Sequence, residues 1–403
     1  MGSILNMLYK DSLHNFEKFI KDWNVETEYV LFGASKECVQ FIRSMDILMG
    51  EGVLKIKYIV DHNVKDKDTL DNINEISTAY HESKVIQINR KGIKLVHIDN
   101  FNFDSQVIIT TDVFKQKYKD YLENNNVKYT WYKNIASIWP YKHKNKVHIY
   151  QTDVLVTEKC TLACSYCNMF MPHYEFPIHR ELNTIKSDID SYFSIVDYVS
   201  VFHLVGGEPF LYPNIEDVVR YVITNYIHKI DKLIITTNGT IMPKDSLLEL
   251  LRTNDVILSV SDYTDKLPHI QKKVLKVIKE YKNKKINHYV RNEIEWYDFG
   301  DLRIKVGRTE EELIKHFDSC TAPFRGLNDG KFYYCHLNTS AVRTNLFPLN
   351  DNDYVSINNV SKEDLIKFDL GFTNLGYVTF CDNCNGCNTG IKVPVSYEKQ
   401  GLR

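Results

Sequence analysis

The sequence predicts an α/β protein built on parallel sheets, and three observations carry that expectation. Apolar, β-branched runs alternate with helix-periodic segments twice along the chain, which is the pattern of parallel strands covered on both faces. The strands of both series run into glycine turns, at "VLFGAS", "LVGGEP" and "TTNGT". Beyond about residue 310 the alternation gives way to a loop-rich, cysteine-rich tract, so a smaller third region is expected.

In the first alternation, "YVLFGAS" (29–35) is an apolar strand entering Gly33, and "KECVQFIRSMDILM" has helical periodicity. "LKIKYIVDHN" is a second strand closing on Asp61. "KLVHIDN" and "SQVIITTD" add further strands, and "KQKYKDYLENNN" a charged helix. A glycine turn after the first strand and an acid at the tip of the second point to a dinucleotide-binding unit, although the loop has one glycine and no GxGxxG. Through "VLFGAS", "YIVD" and "VIITT" the segment resembles the N-terminal Rossmann-like domains of bacterial glycan-biosynthesis enzymes. "SIWPYKHKNK" (137–146), with Pro140 and its basic run, reads as a linker. The second alternation has strands at "VHIYQTDVLV", "VSVFHLVGG", "KLIITTNG", "DVILSVSDY" and "INHYV", with helices such as "NIEDVVRYVITNYI" and "KDSLLELLRT" between them. The expected domains are 1–140, 147–310 and 311–403.

Composition excludes several classes. A net charge of -2 with 25% charged residues gives no electrostatic case for nucleic acid or anionic membrane as the main partner. No run of about 18 apolar residues or secretory n-region is evident, so a cytoplasmic protein is expected. "MGSILN" is a poor myristoylation start because Asn6 stands where Ser or Thr is wanted.

In a reducing compartment, clustered cysteines read as metal or redox ligands before disulfides. Of nine cysteines, eight fall into two clusters, and Cys38 is expected to be a small buried residue on a helix. In "EKCTLACSYCNMF" (158–170), Cys160, Cys164 and Cys167 could hold three irons of a cubane and leave the fourth open. A structural zinc would close with a fourth ligand, for which His173 stands near in sequence.

CxxxCxxC directly after a strand, with Tyr166 before the third cysteine, resembles the signature of radical S-adenosylmethionine (SAM) enzymes, and the likeness covers roughly 147–310. The family's further motifs follow in order. Gly206, Gly207, Glu208 and Pro209 end the second strand, as the family's binder of the methionine amino group does. Asn238 sits in "TTNGT" after the third. Ser259 and Ser261 share a face of the fourth, where a hydroxyl near the SAM ribose is implied. Arg291, ending the fifth strand, is a candidate for the SAM carboxylate or the substrate, against the plain reading of a surface arginine. The resemblance implies a partial (β/α)6 TIM-like barrel, a SAM-binding [4Fe–4S] cluster, and a flavodoxin- or ferredoxin-type reductant. Reductive cleavage of SAM would then yield a 5′-deoxyadenosyl radical.

Cys320 and Cys335 flank a predicted hairpin whose turn is "NDG", and Cys381, Cys384 and Cys387 follow at two-residue gaps. This arrangement resembles the twitch and SPASM auxiliary-cluster domains, in the form with one auxiliary [4Fe–4S] cluster. The implied ligands are Cys320, Cys335, Cys381 and Cys384, with Cys387 as a spare that replaces Cys384 or meets the substrate. Four-cysteine zinc is the alternative. "WYDFGDL" (296–302) is expected to pack a domain interface, and His203 to be a satisfied core histidine. The expected reaction is hydrogen abstraction from a small metabolite, a sugar or nucleotide-sugar, with oxidation or rearrangement. The rivals are a peptide maturase, a methyl- or sulfur-transferring radical SAM enzyme, and a non-enzymatic iron–sulfur or zinc protein.

Overall fold

A computed structural model of the chain describes residues 16–62, 93–111, 115–292, 295–320, 324–387 and 391–395. The chain divides into two units, Met1–His148 and Ile149–Arg403. The MGSILN segment lies outside the described residues.

In the first unit, α1 (Phe16–Asp22) leads into β1 (Glu28–Phe32), α2 (Lys36–Met49) and β2 (Lys55–Asp61). β3 (Leu95–His97), β4 (Val107–Ile109), α3 (Lys115–Asn124), β5 (Tyr129–Trp131) and α4 (Tyr132–Lys144) follow. The sheet order is β3-β2-β1-β4-β5 with every neighbouring pair parallel, as the alternation predicts. Phe32, Val60, Val107, Ile109, Tyr118 and Leu122 bury one face. Gly33 holds φ +105°, and a Cβ there would lie 2.7 Å from the Thr111 side chain, so the turn needs glycine for both backbone and space. The Asp61 carboxylate accepts from the Ala34 N–H at 2.9 Å, which ties the acid to the glycine turn itself.

The expected linker is instead most of α4. Trp139 is fully buried and donates from Nε1 to the Trp23 carbonyl at 2.9 Å, so the apolar content of "IASIW" outweighs the basic tail. Pro140 inside the helix has no N–H to give the Ala136 carbonyl four residues back. The buried His148 Nδ1 takes that place at 3.1 Å. Proline therefore does not end this helix, because a side chain satisfies the carbonyl it orphans.

The second unit has one eight-stranded sheet in the order β10-β9-β8-β7-β6-β12-β13-β14. Its strands are β6 (His148–Thr157), β7 (Tyr198–Gly206), β8 (Ile230–Thr237), β9 (Ile257–Asp262) and β10 (His288–Asn292), then β12 (Arg325–Asn328), β13 (Lys331–Tyr333) and β14 (Tyr354–Ser356). Helices α5 (Leu182–Ile195), α6 (Ile215–Tyr226), α7 (Asp245–Thr253) and α8 (Gln271–Asn283) follow β6 to β9 in turn. Their apolar stripes, such as Leu247, Leu248 and Leu251 of α7, are buried. The pairs of β7 with β8, β8 with β9 and β9 with β10 are parallel.

The sheet does not stop at residue 310. β12 pairs parallel with β6 through Arg325↔Thr152, and β13 and β14 continue antiparallel. The NDG turn of the β12–β13 hairpin has positive φ at Asp329 and Gly330. Helices α9 (Glu310–Ser319), α10 (His336–Arg343) and α11 (Lys362–Asp369) and the two-stranded pair β11 (Glu295–Tyr297) with β15 (Lys392–Pro394) complete the unit. No helix among the described residues is long and apolar enough to cross a membrane.

Candidate functional site

The strand ends of β6, β7 and β8 converge on the first cysteine loop. β6 delivers Glu158 and then Cys160, with Cys164 buried and Cys160 and Cys167 partly so. Burial pushes the Cys160 thiol up to about 12, and nearby Cys167 adds to the effect. Burial likewise raises Cys167, while the backbone N–H groups of Met171, Met169 and Phe170 pull it back by donating to its sulfur. The Leu162 N–H donates to Cys160 Sγ at 3.5 Å. A bare thiolate is unfavourable here, and backbone donors directed at the sulfurs are what metal-bound thiolates take.

The GGEP turn is built against this loop. Gly207 N–H donates to the Thr157 carbonyl and Glu208 N–H to the Lys159 carbonyl, each at 2.9 Å. A Cβ on Gly207 would lie 2.4 Å from the Lys159 carbonyl oxygen, and one on Gly206 2.7 Å from that of Thr157. Both glycines are therefore required by the approach of the cysteine-bearing backbone. The Glu208 carboxylate is fully buried and accepts from Thr237 Oγ1 (2.9 and 3.0 Å), Asn238 N–H (2.8 Å) and Phe210 N–H (3.1 Å). Burial raises its pKa to about 7 against those donors. This carboxylate stitches GGEP to TTNGT, and Pro209 is buried behind it.

Asn238 Nδ2 donates to Thr161 Oγ1 at 3.0 Å and lies 3.7 Å from Cys160 Sγ, which closes the third loop onto the first. On β9, Ser261 accepts from Arg291 Nη2 at 3.0 Å, so Arg291 faces its strand neighbour and is only part-exposed. Ser259 is 1% exposed, with no hydrogen-bond partner for its Oγ. Tyr166 is exposed.

The second thiol set forms in the same unit. Cys384 is buried in a core with Phe170, Leu302, Phe317 and Phe380, against which Cys335, Cys381 and Cys387 pack. Burial pushes Cys335 up, and Cys320 and Cys384 add to it. Cys381 is raised well above its ordinary value by burial and by Cys320, Cys384 and Cys335. Cys387 rises because it hydrogen-bonds to the Cys320 thiol, with burial next. Cys320 thus influences each of the other four thiols, Cys387 included. Cys335 caps α10, whose N–H groups at Leu337 and Asn338 favour its thiolate, and the Gly386 N–H donates to Cys384 Sγ at 3.3 Å. Among the described residues no three His, Cys, Asp or Glu side chains are arranged as ligands of a single metal ion.

Two groups were not assembled by the sequence reading, although it expected His203 as a satisfied core histidine and both ring nitrogens do have partners. Arg343 of α10 donates from Nε to Glu158 at 2.6 Å and from Nη1 to Asp329 at 2.6 Å. Asp329 also accepts from Arg180, which pairs with buried Asp188 at 2.6 Å. This network fastens the base of the cysteine loop to the hairpin and α10. The other group lies inside the sheet. Gln151 and Asp153 of β6, His203 of β7 and Thr236 of β8 form one hydrogen-bonded layer. Its signal was available: polar residues at period two within an otherwise apolar strand leading into a cysteine loop.

Residues 154–293 match the radical SAM superfamily model, and the chain carries a radical SAM domain. Domains of this superfamily work with a [4Fe–4S] cluster and SAM. Among curated proteins, the chain is similar to the antilisterial bacteriocin subtilosin biosynthesis protein AlbA of Bacillus subtilis (strain 168). The two are 32% identical over 113 residues, 26% of this chain and 22% of that protein. It is also similar to GTP 3′,8-cyclase of Pelotomaculum thermopropionicum, 32% identical over 95 residues, 22% of this chain and 27% of that one. The chain thus spans about a quarter of the length of these curated relatives. Among solved structures, BtrN in complex with AdoMet and 2-DOIA aligns with a TM-score of 0.39 and 18% identity, over 63% of this chain and 98% of that one.

Proposed function

We propose that the protein is a cytoplasmic radical SAM enzyme that removes hydrogen from a small hydroxylated metabolite, a sugar or nucleotide-sugar, and passes on the electron left behind. The observation that carries this reading is the presence of two thiol sets in one unit, each with backbone N–H groups turned to its sulfurs. Cys160, Cys164 and Cys167 would hold the SAM-binding cluster. Four of Cys320, Cys335, Cys381, Cys384 and Cys387 would hold an auxiliary one in a twitch-like region. When bound, the first cluster and SAM supply a 5′-deoxyadenosyl radical after one-electron reduction by a flavodoxin- or ferredoxin-type partner.

The chain's own residues position and shield. The Gly206 and Gly207 carbonyls would accept from the SAM ammonium, since those of Glu208 and Pro209 accept from the Leu211 and Tyr212 N–H groups and the Glu208 carboxylate is engaged with Thr237 and Asn238. Ser261 and Arg291, hydrogen-bonded to each other, would face the ribose and carboxylate, and the exposed Tyr166 would cover the outer side. Leu155, Met169 and Val205 pack with Cys167 and Met171, which keeps water from that flank.

Anaerobic holoprotein reduced with dithionite is expected to convert SAM to 5′-deoxyadenosine. Cys160→Ala should abolish this, whereas Cys384→Ala should retain it within about threefold and lose net substrate oxidation. Deoxyadenosine from the Cys160→Ala protein at the wild-type rate would refute the assignment. A peptide substrate is the second reading, favoured by the similarity to the bacteriocin biosynthesis protein. Deuterium transferred into deoxyadenosine from a labelled peptide, and from none of a nucleotide-sugar panel, would select it.

A further inference from the structure

We propose that Asp153, His203 and Thr236 form the proton-accepting group of the substrate site, and that the substrate bears a hydroxyl on the carbon that loses hydrogen. The inference rests on the radical reading above and adds what receives the proton.

Asp153 Oδ1 stands 3.2 Å from His203 Nδ1, and His203 Nε2 stands 2.7 Å from Thr236 Oγ1. Carboxylate, imidazole and hydroxyl in that order is the arrangement of an oriented general base. The carboxylate fixes the proton on Nδ1, so Nε2 accepts from the threonine hydroxyl. Gln151 Nε2 donates to the same Asp153 oxygen at 2.8 Å and holds it in place. Besides these, His336 of α10 faces the pair, with Nδ1 3.9 Å from Asp153 Oδ2. Burial disfavours the Asp153 carboxylate, yet His203 and His336 outweigh it and lower its pKa.

Asp153, His203 and Thr236 each have a partner within the layer, and the unsatisfied hydroxyl lies beside it, on Ser259. Ser259 pairs in register with Thr236 on the neighbouring strand, so the two side chains share a face. Its hydroxyl is buried without a partner. An orphaned hydroxyl costs about 1–3 kcal/mol, and beside a base-linked hydroxyl it marks where a ligand oxygen fits. The layer also lies close to the SAM-directed turns. His203 is three residues before Gly206, Thr236 two before Asn238 and Ser259 two before Ser261. That is about 7–10 Å along the strands.

The step balances as a two-electron oxidation. The C–H hydrogen atom goes to the deoxyadenosyl radical. The neighbouring O–H bond then breaks, its proton passing through Thr236 to His203 Nε2. The C–O bond becomes C=O as the remaining electron leaves, for which an iron–sulfur cluster held by the second thiol set would supply the acceptor.

The test uses anaerobic holoprotein labelled with 15N-histidine, His203 being assigned with His203→Gln. His203 is expected as the Nδ1–H tautomer in the wild type and to lose that preference in Asp153→Asn. With carbon-deuterated myo-inositol or UDP-glucose as probe, His203→Gln is expected to keep iron content and SAM affinity within about twofold. It should lower the carbonyl product at least 100-fold. A wild-type His203 bare at Nδ1, or wild-type product yield in His203→Gln, overturns the base. Deoxyadenosine formation with deuterium taken from neither probe overturns the substrate class. Absence of deoxyadenosine from the wild type sinks the underlying radical reading, and the tautomer then still judges the Asp153–His203 pair on its own.

Discussion

At the scale of single residues, Gly207 and Glu208 show how a motif differs from its mechanism. GGEP is legible in sequence as a turn after a strand, but the reason for its glycines is not, because the Lys159 carbonyl that excludes a Cβ lies on another strand's loop. Gly207→Ala should therefore destabilise the protein by about 1–3 kcal/mol, with early loss of iron on dilution. Thermal melting and iron retention would measure it. Glu208 makes a pH prediction. Its folded pKa of about 7 exceeds the ordinary glutamate value of 4.5, so between those values the folded state holds a proton that the unfolded state has released. Wild-type stability should fall, relative to Glu208→Gln, as pH rises from about 4.5 through about 7. Denaturant melts of both proteins across that range would show a flat difference if Glu208 titrates normally. The acid is legible in sequence as the end of a strand turn; its burial and its partners are not.

At the scale of elements, long-range contacts decide what composition could not. The segment around Pro140 carries proline and a basic run, and both signals point to a linker. The helix forms because Trp139 is buried and His148 reaches the Ala136 carbonyl. His148→Leu should cost about 1–3 kcal/mol by orphaning that carbonyl. Burial lowers the His148 pKa from 6.5 to about 4, so the unfolded chain binds a proton first. Wild-type stability should accordingly fall as pH drops from about 6.5 to 4, by up to about 3 kcal/mol, and His148→Leu should lack that component. The cysteine loop depends similarly on distant partners. Arg343→Leu leaves Glu158, 5% exposed, with its counter-charge removed, and should cost about 3–5 kcal/mol in denaturant unfolding. Arg303→Ala, which breaks an exposed pair with Asp301, should leave the melting temperature unchanged. Strand periodicity revealed β6 to β10 almost residue by residue. Ion pairs between segments about 150 residues apart leave no periodic trace.

At the scale of the whole molecule, the parallel architecture was legible because each strand–helix repeat is local. The extent of the second sheet was not. β12 joins β6 across more than 170 residues, and a cysteine-rich loop pattern gives no hint of that pairing. Sheet continuity places both thiol sets in one unit, and a cluster held by Cys160, Cys164 and Cys167, as proposed, would keep one metal corner without a protein ligand. The most direct test is the electron paramagnetic resonance spectrum of the anaerobic, singly reduced holoprotein, recorded with and without SAM alongside iron and zinc counts. The account expects about eight irons per chain and a signal that changes when SAM is added and is lost in the Cys160→Ala variant. A spectrum indifferent to SAM, or zinc in place of iron at these three cysteines, would contradict it.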